Sequence, residues 1–345
     1  MSYAKHFYTE RALEKFNFPA TGDAAKIGQI ANLVIPFAAY AAKKNGLAAS
    51  VTIGEALAGD DIPSALKEFI AGDGAEWAKS SLETFEKVSS DDIKTYITDK
   101  IEEENSRAGG RDMVVTLPPS LNDLCANTLG IKKDDSVIDL GAGFASFLIH
   151  AGKNFPSKKL VGIEINRRIR LYGSMLAYLE GVSPDIQQGD VLQLDESSLY
   201  EKILAIPEFG SDMVIPFIEK VLKLLSDRGR AVVFLGQGFL FNEGRGLKEA
   251  RQKLIDGGFV EAVIELPAGV LLPFSALNTA LLVLSKNNKA VRVVDASGFH
   301  ENTRRGASAL TDEAAKAIYE MIGKDSDKSR SIKNEEIKTK DYDLT

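Results

Sequence analysis

Apolar residues recur at helical spacing through the first third of the chain. They stand three and four residues apart in several segments, with Gly and Asp residues between the segments, a pattern that predicts amphipathic helices. The predicted helices cover residues 27–44, 62–70 and 76–88, and a strongly charged stretch at residues 91–107 comes after them. Gly109 and Gly110 follow them as a hinge. We therefore expect a helical N-terminal domain over residues 1–108.

From residue 109 onwards, short β-branched runs alternate with amphipathic segments. The predicted strands are residues 136–140, 160–165, 185–188, 202–206, 230–235, 260–266, 280–284 and 290–295. The predicted helices between them are residues 144–153, 167–180, 213–225 and 246–256. Parallel strands need a crossover of helical length, so this alternation predicts an α/β domain with a mostly parallel sheet covered on both faces.

The end of the predicted sheet has a different pattern. Residues 280–284 and 290–295 are separated only by a short polar stretch at 286–289, which predicts a tight turn and an antiparallel hairpin at the sheet edge. Beyond residue 300 the chain is polar, with one predicted helix at 312–323 and then a charged tail. We expect the sheet domain to occupy residues 109–300 and the helix and tail to occupy residues 301–345.

The composition is that of an ordinary globular protein, with 345 residues of which 44% are hydrophobic and 26% charged. This length suits one domain of roughly 200 residues with a smaller companion. Cys125 is the single cysteine, which excludes an internal disulfide and a cysteine-cluster metal site and fits a reducing compartment. The three histidines lie far apart in sequence, so no metal site is expected.

Charge and hydropathy constrain the partners. No segment has the roughly 20 uninterrupted apolar residues of a membrane span, and the first residues are polar, so we expect a cytoplasmic protein without a membrane partner. The net charge of -7 argues against nucleic-acid binding by the whole surface. A local basic face would still be able to bind nucleic acid, because binding depends on where the charge lies. The basic candidates, each also explained as a solvated face, are Lys158, Lys159, Arg167, Arg168, Arg170, Arg304 and Arg305.

The clearest local signal for ligand binding is a glycine turn between a predicted strand and a predicted helix. The strand ends at Asp139 and Leu140, and Gly141 and Gly143 follow. Glycines let a ligand approach the backbone closely, and the helix start offers free N–H groups to an anion. Such a loop suits a nucleotide, a dinucleotide or S-adenosylmethionine, and it also occurs as a purely structural turn. The third glycine of the dinucleotide fingerprint is absent, which disfavours the dinucleotide.

Acidic residues stand at the ends of the next two predicted strands. Glu164 ends the second strand and Asp190 follows the third. The carboxyl ends of neighbouring parallel strands form the crevice where open α/β sheets bind ligands. Glu164 can hold both ribose hydroxyls there, and Asp190 can accept a hydrogen bond from an adenine amino group. The alternatives are a solvated Glu164 and an Asp190 that caps a turn. Together with the glycine turn, these residues predict a nucleoside-type ligand.

In this order the motifs resemble S-adenosylmethionine-dependent methyltransferases, and specifically the modification subunits of type I restriction-modification systems. The resemblance covers residues 110–345 and includes, in the family's order, the segments 217–219, 224–233, 238–241, 262–270, 278–284, 335–337 and 342–344. It implies a class I, Rossmann-like methyltransferase fold with S-adenosylmethionine as cofactor. The loop from Asp139 to Gly143 would hold the methionine part, Glu164 the ribose and Asp190 the adenine. In the family, more chain normally follows the last segment, so we expect the native chain to continue.

One departure concerns the catalytic tetrapeptide at the end of the fourth strand. The family has Asn or Asp, two prolines and an aromatic residue there, and these groups accept the amino hydrogens of a flipped-out adenine and stack on it. This chain has Ile206, Pro207, Glu208 and Phe209. The match implies that Pro207 and Phe209 line the target pocket. Ile206 cannot accept a hydrogen bond, which puts activity in doubt unless Glu208 takes over as acceptor.

The resemblance implies a DNA adenine-N6 methyltransferase that serves as the modification subunit of a type I restriction-modification system. Its expected partners are DNA, reached through a specificity subunit or domain, and a restriction subunit. The alternative is a catalytically silent methyltransferase fold that serves as a scaffold for a specificity subunit. A third hypothesis is methylation of an amine that is not part of DNA, although that reaction would also require the missing Asn.

Overall fold

The computed structural model describes residues 6–19, 21–108, 114–155, 157, 159–207, 212–244, 246–272, 275, 277–302 and 308–345. The chain forms two compact units. The first comprises Met1–Val114 and Asn166–Ser183, and the second comprises Val115–Ile165 and Pro184–Thr345. The predicted hinge at Gly109 and Gly110 lies outside the described residues.

The helices are α1 (Phe7–Leu13), α2 (Gly22–Lys44), α3 (Ile53–Ala56), α4 (Ser64–Ala71), α5 (Ser90–Ala108), α6 (Pro119–Leu129), α7 (Ser146–Asn154), α8 (Arg167–Leu179), α9 (Val214–Leu224), α10 (Leu247–Asp256), α11 (Asp312–Ile322) and α12 (Asn334–Thr339). The strands are β1 (Ser136–Leu140), β2 (Lys159–Glu164), β3 (Asp185–Gln188), β4 (Tyr200–Ala205), β5 (Leu225–Gly236), β6 (Val260–Glu265), β7 (Thr279–Leu284), β8 (Ala290–Asp295), β9 (Glu301–Asn302), β10 (Ser308–Ala309) and β11 (Ser329–Lys333). The helices predicted at residues 27–44 and 62–70 and the eight predicted strands are confirmed in these elements, and the charged stretch at residues 91–107 lies in α5. None of the helices in the described ranges combines the length and apolar character of a membrane span.

The first unit is built around α2, whose apolar side chains form its core. Leu33, Val34 and Phe37 are almost fully buried, and α5 packs against this helix. Helix α8 belongs to the same unit by its contacts. Arg170 on α8 is buried and donates to both carboxylate oxygens of Glu68 at 2.6 and 3.1 Å, so its buried charge is paired with a half-exposed carboxylate.

The helix predicted at residues 76–88 is wrong. This stretch forms turns with a single 3-10 turn at Glu83–Phe85. Its backbone carbonyls bond to another segment, because Ser80 and Ala78 accept from Ile53 and Gly54 at 3.0 and 2.8 Å. The apolar residues of the stretch are still buried, Trp77 and Phe85 among them. Their spacing therefore reflects burial in the core rather than helical geometry.

The second unit is a nine-stranded sheet in the order β11-β8-β6-β7-β5-β4-β1-β2-β3. The five strands from β5 to β3 in this order, β5, β4, β1, β2 and β3, pair in parallel. Strand β7 is antiparallel to both of its neighbours, β5 and β6. The centre of the sheet is buried on both faces, and Ile138 and Val233 are fully covered. The predicted α/β class, a mostly parallel sheet with antiparallel strands, is confirmed.

The predicted hairpin between residues 280–284 and 290–295 is wrong. These strands, β7 and β8, do not pair, because β6 lies between them and pairs with both. The polar connection crosses the start of β6, where Ser285 and Asn288 donate backbone hydrogen bonds to Phe259 and Gly258 at 3.0 and 2.8 Å. The antiparallel neighbour of β8 at the sheet edge is instead β11. The polar stretch does connect the two strands. They do not pair with each other, because β7 lies between β5 and β6 and forms hydrogen bonds with both.

Candidate functional site

The strand order of the sheet reverses between β1 and β4. From β1 the chain proceeds through β2 to β3 on one side, and then returns to β4 on the other. Ligands bind in open α/β sheets beyond the carboxyl ends of the strands at such a switch point. The two strand ends approach each other here, because the Ile206 N–H donates to the Leu140 carbonyl at 3.5 Å.

The glycine turn after β1 adopts a backbone that requires glycine. Gly141 has φ 92° and Gly143 has φ 53°, both in the left-handed half of conformational space. Ala145, which precedes α7, also has a positive φ of 60° and is fully buried. The N–H groups of Gly141 and Ala142 both donate to the Ile163 carbonyl at 3.0 and 2.9 Å, so the turn is fixed to β2. The loop is therefore strained and rigid, as ligand loops often are.

Glu164, at the end of β2, points its carboxylate at this turn. Its Oε2 accepts a hydrogen bond of 2.9 Å from the Gly143 N–H, and the residue is only 8% exposed. The next residue, Ile165, is 68% exposed, which is unusual for a large apolar side chain. The sequence prediction included Glu164 and missed Ile165. An apolar residue directly after the strand-end acid was the signal that could have found it.

Asp139 on β1 is the most unusual ionisable group of the site. It is 3% exposed, and its Oδ1 has no hydrogen-bond partner among the described residues. Burial, with a smaller contribution from the negative charge of Glu164, raises the pKa of Asp139 to about 8. A buried carboxyl oxygen without a partner costs free energy in the folded chain, and such groups cluster at functional sites.

Asp190 follows β3 and begins a short 3-10 turn. Its Oδ1 accepts a hydrogen bond from the Leu192 N–H at 2.9 Å. This oxygen therefore caps the turn, as the alternative interpretation of Asp190 predicted. The preceding residue, Gly189, donates its N–H to the Glu164 carbonyl at 3.1 Å. Asp190 therefore lies beside the end of β2, on the side away from β1.

The predicted catalytic residues begin where β4 ends. Ile206 is half-buried and Pro207 is buried. The Ile206 carbonyl faces the glycine turn, since a Cβ on Gly141 would lie 3.6 Å from that oxygen. The structure thus brings Asp139, Gly141 and Ile206 together at the switch point. Glu208 and Phe209 lie outside the described residues.

The basic candidates that the structure describes are paired with acidic residues or exposed. Arg167 pairs with Asp73 at 2.7 Å and Arg170 with Glu68, all within the first unit. Arg168 is exposed. The positions that lie outside the described residues are Lys158, Arg304 and Arg305.

Several known proteins match this chain. The N-6 DNA Methylase family matches residues 211–345. The type I restriction enzyme MpnII methylase subunit of Mycoplasma pneumoniae is 23% identical over 318 residues, which cover 76% of this chain and 58% of that protein. The type I restriction enzyme EcoEI methylase subunit of Escherichia coli is 23% identical over 211 residues, which cover 51% of this chain and 43% of that protein. The chain spans about half the length of these curated relatives.

A solved structure has the same fold. The methyltransferase subunit of a type I restriction-modification system from Streptococcus thermophilus matches with a TM-score of 0.65 at 17% identity, covering 96% of this chain and 81% of that one. Its likeness extends over both units of the chain. The chain is therefore similar to the N-6 DNA Methylase family over residues 211–345, and it has the fold of a methyltransferase subunit of a type I restriction-modification system.

Proposed function

We propose that the protein is an S-adenosylmethionine-dependent DNA adenine-N6 methyltransferase, the modification subunit of a type I restriction-modification system. The observation that carries this proposal is the cluster at the switch point, where Asp139, the Gly141 turn and Glu164 meet beside Ile206. The family and its type I relatives supply the reaction class. By the same reasoning, its partners are DNA, a specificity subunit and a restriction subunit, and its compartment is the cytoplasm.

The residues present suit the cofactor. The unpartnered Oδ1 of buried Asp139 is an acceptor that awaits a donor, and the ammonium group of the methionine part is such a donor. The absence of a Cβ at Gly141, with φ 92°, leaves room for that part of the molecule beside the backbone. Glu164 would accept from the ribose hydroxyls, and Asp190 from the adenine amino group. Exposed Ile165 offers an apolar surface on which the adenine ring can lie.

When bound, S-adenosylmethionine supplies an electrophilic methyl group. The task of the chain is to hold the target adenine so that its N6 lone pair faces this group, and position is the main source of rate in such a reaction. Pro207 and Phe209 would line the pocket for the flipped base. The Ile206 side chain has no hydrogen-bond acceptor, so it cannot orient the amino group of the adenine. We therefore expect slow methyl transfer, with the Pro207 carbonyl as one acceptor for the amino group and Glu208 as the residue that would have to replace the missing side-chain acceptor.

Calorimetric titration with S-adenosylmethionine tests the first half of the proposal. We expect saturable binding to one site per chain, and loss of most of the affinity in Glu164→Ala. Glu320→Ala is the matched control, because Glu320 is exposed on α11. No binding by the unmodified protein would reject the proposed cofactor and the reaction with it.

Transfer of a labelled methyl group to adenine-containing DNA tests the second half. The assay should include a cognate specificity subunit, because the base-reading part of this family is separate. Label on N6 of adenine supports the methyltransferase. Tight cofactor binding without any transfer would instead favour the silent scaffold, for which the isoleucine at position 206 is the structural reason.

A further inference from the structure

Arg251 on α10 is the largest fully buried side chain among the described residues, with 1% exposure. Its guanidinium donates three hydrogen bonds to backbone carbonyls. Nε donates to Tyr342 at 2.8 Å, and Nη1 donates to Phe239 and Asn242 at 2.8 and 2.7 Å. Only arginine offers donors in a planar fork that reach three carbonyls from one buried point.

Two of these carbonyls belong to the loop that follows β5, residues 237–242, which we call the β5 loop. The third belongs to the C-terminal segment. This segment also contacts the loop directly, because the Leu344 N–H donates to the Leu240 carbonyl at 3.1 Å. Within the loop, the Asn242 N–H donates to the Gly238 carbonyl at 2.9 Å. The β5 loop is therefore held by α10, by the C-terminal segment and by its own turn.

The β5 loop begins close to the proposed substrate site. Strand β5 is the neighbour of β4 and runs parallel to it, so the loop begins at the same sheet edge as Ile206 and Pro207. Its first residue, Gln237, donates its N–H to the Asn278 carbonyl at 2.8 Å. The loop therefore begins beside the end of β4, and its first residue is fixed to the residue that precedes β7.

One residue of the rigid loop faces solvent. Phe239 and Leu240 are buried in the core, whereas Phe241 is 47% exposed. The hydrogen bonds of the loop thus hold a half-exposed aromatic ring at a fixed position beside the end of β4. At the reactive edge of a nucleic-acid enzyme, an unstacked base is a suitable partner, because aromatic rings stack on bases in single-stranded or flipped-out DNA.

We propose that Phe241 is a DNA-contacting residue that stacks on an unpaired base at the target site, and that Arg251 is the positioning residue that fixes its loop. This inference rests on the proposed function. It assigns to the β5 loop a part of the substrate site beside the end of β4. Stacking of this kind changes DNA affinity by about tenfold per base.

Photo-crosslinking tests the contact without requiring catalysis. Phe241→p-benzoylphenylalanine is irradiated with a radiolabelled adenine-containing duplex that carries an unpaired adenine, in the presence of S-adenosylmethionine. Tyr319→p-benzoylphenylalanine is the matched control, because Tyr319 is a similarly exposed aromatic residue at 42% exposure, on α11. We expect labelled protein with the photoreactive group at 241 well above the control. Equal labelling at both positions, or crosslinks from 241 only to protein, would overturn the contact.

Affinity measurements test the positioning role. By fluorescence anisotropy with the same duplex, Phe241→Ala should bind about tenfold more weakly, and Phe241→Trp should retain wild-type affinity. Arg251→Lys should weaken DNA binding while the calorimetric affinity for S-adenosylmethionine stays unchanged, since a lysine cannot bridge three carbonyls. Wild-type DNA affinity in Phe241→Ala overturns the inference even if Arg251→Lys fails to fold. Failure of the proposed function would appear separately, as absent cofactor binding in the unmodified protein.

Discussion

The backbone N–H of Gly143 donates to Oε2 of Glu164 across 2.9 Å, which ties the turn after β1 to the last residue of β2. The two residues are far apart in sequence, and the parallel register that places Leu140 beside Ile163 brings them together. A hydrogen bond to a buried carboxylate is stronger than one between neutral groups. Glu164 therefore fixes the shape of the turn, and under the proposed function its carboxylate would also accept from the cofactor.

Removal of the Glu164 carboxylate should weaken both the turn and the proposed cofactor binding. Glu164→Ala should reduce S-adenosylmethionine affinity by about 10- to 100-fold, because a charged hydrogen bond contributes roughly 1.5–3 kcal/mol. Glu164→Gln should have a smaller effect, since its amide oxygen can still accept from Gly143. Calorimetry measures both, with Glu320→Ala as the neutral comparison. Equal affinities for the wild type and Glu164→Ala would mean that the cofactor does not contact this strand end.

The raised pKa of Asp139, about 8, predicts a pH-dependent stability. The carboxyl stays protonated in the folded chain, whereas in the unfolded chain it ionises above about pH 4. The folded state then binds more protons between these values, so the free energy of unfolding should fall as pH rises from about 4 to about 8 and level off above that. Urea unfolding across this range, compared with Asp139→Asn, isolates the contribution. Parallel pH curves for the two proteins would contradict the buried, protonated carboxyl.

The positive φ of Gly141 predicts a cost for any side chain there. Gly141→Ala should lower the free energy of unfolding by about 1–2 kcal/mol, because a left-handed backbone disfavours a Cβ by that amount. Gly236→Ala is the matched control, since its φ is ordinary and nothing lies within 4 Å of a Cβ at that position. That variant should be neutral or slightly more stable. Denaturant unfolding distinguishes them, and equal stability of the two variants would refute the strained turn.

Ile206→Asn restores the acceptor that the family has at the end of β4. It should raise the rate of methyl transfer to adenine by on the order of a hundredfold, similar to the effect of one well-placed polar group in other active sites. Ile206→Val is the control without an acceptor and should show no gain. Single-turnover transfer of labelled methyl measures the rate, and cofactor affinity should stay the same in all three proteins. If the asparagine and valine variants transfer at the same rate, this position does not orient the amine.

Much of the fold was predictable from local patterns. The run from Ser136 to Leu140 ends in glycines, and the observed strand has the predicted bounds. The start of the helix predicted at residues 167–180 agrees with α8, and in the structure Asn166 caps this helix by accepting from the Arg168 N–H at 3.0 Å. The strand-end acids followed from the rule that parallel strands end at one edge. The role of Arg251 could not be predicted, because an arginine on an amphipathic helix is expected to be exposed to solvent. Its burial and its three carbonyl partners appear only in the tertiary structure.

The sequence by itself determined which segments are strands and which are helices over most of the chain, and where the glycine turn and the acids fall. Only the tertiary structure decided that β7 enters the sheet between β5 and β6 and that residues 76–88 give up a helix for bonds to residues 51–54. It also placed Asp139 Oδ1 where no described group reaches it. The spacing of apolar residues in one segment shows which of its side chains will be buried. Strand pairing and the hydrogen bonding of buried polar atoms depend instead on contacts with segments that are distant in the sequence.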